Sequence, residues 1–489
     1  MVFDAGTLTA FETSPTFFVY ANSMSPSRNP ARSLGLDVLV PSAGGSLAGA
    51  QRRSSVLLNA AAMPLLAMNL LFAFQGNNPA SACVLLAVLT MIAIVQSFAG
   101  WRFTNLTFQM CTFFAFVLKS WYEFKYGGPY YGGFGSDDRV YDKWGVQFYN
   151  LDTFGFMSVW DILPESHNSP GYVYLIGMLH HFAEPLGGYD LMLPRILNMF
   201  LLANIGALVF KYLRDRSEVA PLTEYAIAFG LCLFPSMLYQ SAHVYRDTII
   251  SYLTVLVFYS GCRRGNMLFR SVPIVVAISI MWGLRQLFAA LLIGLTPILF
   301  LPIRRISNRQ LILVGLLMLT YAAIAAQFGA VTDVVDEAVG RAEQYTALNQ
   351  QRFGAMGSKV FQGNVVQFFP LRILFVFMTP APKFNYDLVQ GFLGVGTVLQ
   401  FFALPFVVRS LLRDETDGKL KVSYLLIISA VACSTFSSRH MLCVIPFTFL
   451  LGIEEFNRSR LKQDFSWYFP YLIGQCIVFT VALMFLLII

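Results

Sequence analysis

Thirteen stretches of this sequence stay apolar for close to the roughly 20 residues that a helix needs to cross a lipid hydrocarbon core. They fall at 55–74, 80–99, 103–121, 191–210, 221–241, 247–262, 271–284, 287–303, 311–328, 388–408, 422–437, 441–456 and 467–488. Backbone polar groups in lipid must be satisfied within the segment, so such runs predict an all-α polytopic membrane protein. Of the 489 residues 56% are apolar and 12% charged, against roughly 25% charged in a soluble domain. That deficit excludes a water-soluble enzyme, and 46 Phe with 22 Tyr exclude a disordered or fibrous chain. All seven cysteines lie within apolar runs, so neither a disulfide framework nor a zinc knuckle is signalled.

Residues 1–52 are polar, rich in Ser, Pro and Ala, and without helical periodicity. They read as a disordered cytosolic tail ahead of a transmembrane domain at 53–489, and they lack the basic start and apolar core of a signal peptide. The net charge of +7 would suggest nucleic acid in a soluble protein. Here the basic residues sit between apolar runs and set helix orientation instead. With Arg52 and Arg53 inside, the inner connections carry Arg102, Arg214, Arg264, Arg305, Arg413 and Arg458 among others. Two long outer loops result, at 122–190 and 329–387. In the first, PGYVYLIGMLHHFAEPLG suits a helix lying in the membrane interface. In the second, VTDVVDEAVGRAEQYTALNQQR has the amphipathic pattern of a polar helix above the membrane. Parity of crossings lays Phe368–Met378 along the outer surface, where Arg372 would reach water by snorkelling.

No acidic, basic or histidine residue falls near the middle of an expected span, which disfavours an ion-coupled transporter. There is no GxxxxGK[ST] phosphate loop, so this chain alone is no ATP-driven pump. Gly391, Gly394 and Gly396 lie in a span and read as helix packing. Charges gather at outer helix ends: Arg195, Arg246, Asp247, Arg285, Arg439 and His440. Four arginines there run against the positive-inside tendency. Guanidinium groups suit phosphate, and several around one outer-leaflet pocket would hold the phosphate or diphosphate of a lipid carrier. The alternative is snorkelling or structural ion pairing, Arg246 with Asp247 for example.

All five histidines (His167, His180, His181, His243, His440) map to the outer face, where interfacial packing is the expected role. The first outer loop carries GSDDRVYDKWG, with Asp137, Asp138 and Asp142 close together. Such a segment is either a solvated acidic loop or the source of a general base that takes a proton from a sugar hydroxyl. Arg139 would keep that carboxylate ionised. A metal is not required if arginines supply the positive charge, although Asp137 and Asp138 are the pair that would bind a divalent one.

Several of these strings resemble the GT-C membrane glycosyltransferases, and within them bacterial relatives of the protein O-mannosyltransferase and aminoarabinose transferase families. Asp137-Asp138-Arg139-Val140-Tyr141 resembles the family's Asp-Glu-x-x-Tyr, whose first acid is the proposed base. His167-Asn-Ser-Pro170-Gly-Tyr resembles the His-Pro-Pro-Leu-Tyr start of a juxtamembrane helix. LPRILNMFLLANIGALVFKYL resembles the Arg-Leu-x-Asn helix, with Arg195 and Asn198 at its outer end. FPSMLYQSAHVYRDTIISYLTVLVFYSGCRR is similar to the Pro-rich outer turn followed by Arg-Asp, here Pro235, Arg246 and Asp247. The resemblance runs from Ser136 to Arg264 and more weakly from Arg439 to Glu455. It departs at Asp138, where the family has Glu, at the single Pro170, and in three spans before the first outer loop where the simplest members have one.

The resemblance implies an inverting glycosyltransferase of a bacterial cytoplasmic membrane, its site facing the periplasm or exterior. The donor would be a polyprenyl-phosphate-linked sugar and the acceptor a glycan or glycolipid. Asp137 and Asp138 would be catalytic, Arg246, Arg439, Arg195 and Arg285 would bind the donor phosphate, and Tyr141, His167, Asp247 and His440 would support them. An O-antigen or exopolysaccharide polymerase or ligase using a polyprenyl-diphosphate glycan is the alternative within transferases. A lipid-linked glycan flippase is the alternative from another class.

Overall fold

The computed structural model describes residues 43–130, 137–163, 169–216, 221–302, 307, 309–310, 371–374, 376–377, 388–434 and 438–488. The chain divides into two units, Met1–Gln51 and Arg52–Ile489, and the second holds the helical bundle. Its described residues form helices and their connections, with no strand among them. Among the described residues, five helices are long and apolar enough to cross a membrane: Arg52–Phe74 within α1 (Ala43–Phe74), α2 (Pro79–Ala99), α6 (Met192–Arg214), α10 (Met267–Leu284) and α12 (Leu388–Leu412). Between them run α3 (Thr104–Tyr126), α4 (Asp137–Tyr149), α5 (Pro170–Ala183), α7 (Pro221–Tyr225), α8 (Pro235–Ser241), α9 (Asp247–Cys262) and α11 (Gln286–Phe300). After α12 come α13 (Gly418–Ser434), α14 (Ile445–Lys462) and α15 (Tyr468–Ile488). Every expected apolar segment is helical except 311–328, which lies outside the described residues.

Two expectations are corrected. Residues 43–52, read as the end of a disordered tail, are helical. The helix runs through Gly44, Gly45 and Gly49, each about 1 kcal/mol less favourable than Ala, as an extension of an apolar helix that already supplies the costly nucleus. The run at 221–241 is not one straight helix, since Leu222–Cys232 and Pro235–Ser241 meet at 54°. Pro235 opens α8, and Phe234 before it is extended at φ −61°, ψ 130°. A proline disfavours helical geometry in its predecessor, so the break follows directly from the sequence.

A feature invisible to span counting ties α1, α2 and α3 together. Asn59 donates to Ser97 Oγ at 2.8 Å, Asn105 to Asn59 at 2.9 Å, Gln109 to Thr90 at 2.9 Å and Asn69 to Gln109 Oε1 at 3.0 Å. Uncharged amides inside apolar helices hold neighbours by interhelical hydrogen bonds, each worth about 0.6 kcal/mol in lipid.

The site is positioned by α4 packing on α5. Gly145 on α4 lies against Ile176, and Gly177 on α5 against Phe148, so a methyl group at either glycine would collide. In turn α5 meets the end of α10, where a Cβ on Gly171 would lie 2.9 Å from the Gly283 carbonyl carbon. Backbone cannot yield as a flexible side chain does. Gly171→Ala is therefore expected to cost about 1–3 kcal/mol of stability, as overpacking does. Thermal unfolding in detergent measures this, with Gly128→Ala, where nothing lies within 4 Å, unchanged.

Candidate active site at the Asp137 end of the bundle

The acidic string expected in a loop instead opens helix α4, with Asp137 and Asp138 in its first turn. Carboxylates are favoured there by the helix dipole, and Tyr141, Gly145 and Phe148 recur at helical spacing on its buried face. The two acids diverge. Asp137 is half-exposed and accepts a hydrogen bond from Arg439 Nη1, a residue 302 positions away. Asp138 has no exposed surface and faces the equally buried Arg195 at 3.7 Å, too long for a hydrogen bond.

Arg195 also donates from Nη2 to the Pro129 carbonyl at 2.7 Å. It thus clasps the chain just past α3 to the start of α4. Both Arg195 and Asp138 are fully buried, whereas Asp137 is partly exposed. No group of three His, Cys, Asp or Glu suited to a metal occurs among the described residues.

Burial, opposed by the pull of Arg195 and Arg439, pushes the Asp138 carboxyl from 3.8 up to about 7. A raised carboxyl pKa means that the folded state holds the proton more tightly than the unfolded chain. The resulting stability is complete below about pH 4 and lost as pH rises through about 7. Wild-type protein should therefore lose stability relative to Asp138→Asn across that window. Unfolding temperatures of the two proteins from pH 4 to 8 test this, and parallel curves would show that Asp138 does not titrate there.

Arg439 sits on a 3-10 helix, Ser438–Cys443, with its guanidinium 4.7 Å from the centre of the Tyr245 ring. Tyr245 stacks at 5.0 Å and 11° on His243. His243 contacts the Tyr239 carbonyl through Nδ1 at 2.8 Å and the Tyr122 hydroxyl through Nε2 at 2.9 Å. A carbonyl only accepts, so Nδ1 carries the proton and Nε2 accepts from Tyr122. Burial first, then Arg195, lowers His243 to about 3 and keeps it neutral. Asn198 of α6 holds this turn, donating to the carbonyls of His243 at 2.9 Å and Tyr245 at 3.0 Å. His243, expected only to pack at an interface, and Tyr122 and Tyr245, singled out by nothing in the sequence, together form the seat beneath Arg439.

The remaining arginines close in from two helix starts. Arg246 precedes α9 and lies 5.9 Å from the centre of the Tyr141 ring. Tyr141 meets Tyr172 edge-to-face at 4.9 Å and approaches Ser169 Oγ at 3.4 Å. Arg285 joins α10 to α11 in extended backbone, buried and over Phe288 at 5.1 Å. Burial, then the charge of Arg246, lowers Arg285 to about 10, with Asp247 opposing. It remains a cation at neutral pH, on which the charges of Arg246, Asp247 and Arg439 act. His440 follows Arg439 on the same 3-10 helix and is half-buried. His167 lies outside the described residues, as does nearly all of 329–387.

Three neighbours behave differently from expectation. Arg139 is exposed, and Arg439 is the cation at Asp137. Asp142 accepts a hydrogen bond from the Tyr130 hydroxyl at 2.6 Å, pinning α4 to the end of α3. Arg372 is only 3% exposed, so it does not snorkel to water.

The basic residues of the expected inner connections gather at the other end of α6, 23 residues or about 34 Å away. There Arg216 and Tyr212 meet Asp417, and Glu455 is held by Arg409 at 3.3 Å, Arg413 at 3.1 Å and Arg458 at 3.1 Å. The chain therefore separates an end with a network of ion pairs around Glu455 and Asp417 from an end where Arg246, Arg285 and Arg439 lie with Asp137. No family model, curated protein or solved structure matches the chain.

Proposed function

We propose that this protein transfers a sugar from a polyprenyl-phosphate-linked donor to a glycan or glycolipid acceptor, in surface polysaccharide or glycolipid assembly. The proposal includes thirteen spans in a GT-C-like arrangement in a bacterial cytoplasmic membrane, with the Asp137 end facing the periplasm or exterior. Sugar nucleotides are cytosolic, so a transferase working outside needs a lipid-anchored donor. In the proposed reaction Asp137 takes the proton of the acceptor hydroxyl as its oxygen attacks the anomeric carbon in line. The bond from that carbon to the lipid phosphate oxygen breaks, the configuration inverts, and the electron pair leaves with the phosphate. Arg439 and Arg246, with Arg285, stabilise the charge that develops there.

The observation that carries this reading is the convergence of Asp137, Arg246, Arg285 and Arg439 from four separate elements at one end of an apolar helical bundle. A guanidinium has five N–H donors in a planar fork, so Arg439 can serve a carboxylate and a phosphate in turn. With arginines in place, a divalent ion is unnecessary for charge stabilisation. Deleting the gene and analysing surface glycans and lipid-linked intermediates tests the proposal. A product lacking one sugar, with the lipid-linked sugar accumulating, is expected. Single-repeat glycans would favour the polymerase or ligase, and transport across sealed vesicles without bond formation would favour the flippase.

A further inference from the structure

Beyond the site, the chain between α4 and α5 turns large apolar side chains outward. Residues 156–161 form a 3-10 helix, FMSVWD. With three residues per turn, positions i and i+3 share a face. Val159 is fully buried and anchors one face, while Phe156, edge-on to Tyr174 at 5.5 Å, keeps 39% of its surface exposed. Met157 and Trp160 share a face of the helix, and Phe154 lies two residues before it. Met157 is 72% and Phe154 63% exposed, with Trp160 and Leu151 also open. The backbone beneath is anchored, since the Tyr174 hydroxyl donates to the Phe154 carbonyl at 3.1 Å. These are outward side chains on a pinned support.

Contiguous exposed Phe, Met and Trp are unfavourable in water and mark a contact surface. Position indicates what covers it. A Cβ on Gly283 would lie 3.8 Å from the Phe156 ring, which places the segment beside the last turn of α10. α10 is one of the helices able to span a membrane, and Val272, Val275, Val276, Ile280 and Trp282 on it are exposed. The segment thus sits beside the end of a helix able to span a membrane, and Trp residues favour the boundary of acyl chain and headgroup.

We infer that residues 151–162 form a finger that inserts Phe154, Met157 and Trp160 into the interfacial layer of the bilayer that surrounds α10. The finger hangs from the C-terminal end of α4, so its depth sets the height of Asp137 relative to the membrane. Nothing in this inference depends on the sugar-transfer reading.

The test is fluorescence quenching of full-length protein in nanodiscs, with the Trp160 signal isolated as the difference between wild type and Trp160→Phe. In lipids brominated at shallow acyl positions the difference emission should be lost, while iodide in the water should quench it little. Met157→Trp adds a second reporter on the same face and should show the same loss. Absence of bromine quenching at both positions overturns the inference. If iodide then quenches, the finger stands in water, and if neither agent does, another part of this chain covers it.

Discussion

Asp137→Asn is expected to lower transfer by about 10²- to 10⁴-fold, the share a positioned general base contributes, while fold and donor binding persist. The amide is nearly isosteric with the carboxylate but cannot take the hydroxyl proton. Its structural cost should be small. The ion pair to Arg439 is partly exposed on both sides, 40% at Asp137 and 27% at Arg439, and pairs of that kind contribute about 0–1 kcal/mol. Turnover and donor affinity measured on the same preparation separate the two effects. Near-normal turnover in Asp137→Asn would remove this residue as the base. Loss confined to Asp138→Asn would shift the role by one position, against the complete burial of that side chain.

The second large effect concerns Arg439. Substitution by Lys keeps the charge but replaces a planar fork by a point charge, so transfer should fall, and Ala should lower it further. A charge-assisted contact is worth about 1.5–3 kcal/mol, which corresponds to about a 10- to 150-fold change in rate or affinity. Arg246→Ala should behave similarly. The control must be a truly exposed arginine. Arg372 fails that requirement because it is buried, whereas Arg264 is exposed between α9 and α10. Equal losses in Arg439→Ala and Arg264→Ala would indicate general destabilisation. Unchanged donor binding in both Arg246→Ala and Arg439→Ala would remove the phosphate site.

The contrast between Arg264 and Arg372 shows where sequence reading stops. Both lie beside apolar runs, Arg264 next to Arg263 and Arg372 alone, and local composition does not say which of them is buried. Arg264 is exposed and Arg372 is buried. The same holds for Asp137 and Asp138, neighbours with one chemistry and two environments, because a helix turns by about 100° per residue and only packing decides which direction is solvent. The cation beside Asp137 illustrates the point further. Sequence proximity suggests Arg139, but the partner is Arg439, brought in on a 3-10 helix 302 residues later.

What the sequence determined by itself was local. Runs of apolar residues specify helices because backbone hydrogen bonds in lipid have no other partner, and the described segments are helical where those runs fall. Pro235 marked the break in the bent helix, and the clustering of arginines at helix ends was countable before any coordinate. The tertiary structure alone decided which of those arginines are open and which are buried, which aspartate meets water, and that Tyr122, His243 and Tyr245 form the seat under Arg439. Helix formation depends on residues within a turn or two of one another, whereas burial and ion pairing depend on which helix faces which, a property that no local stretch of chain contains.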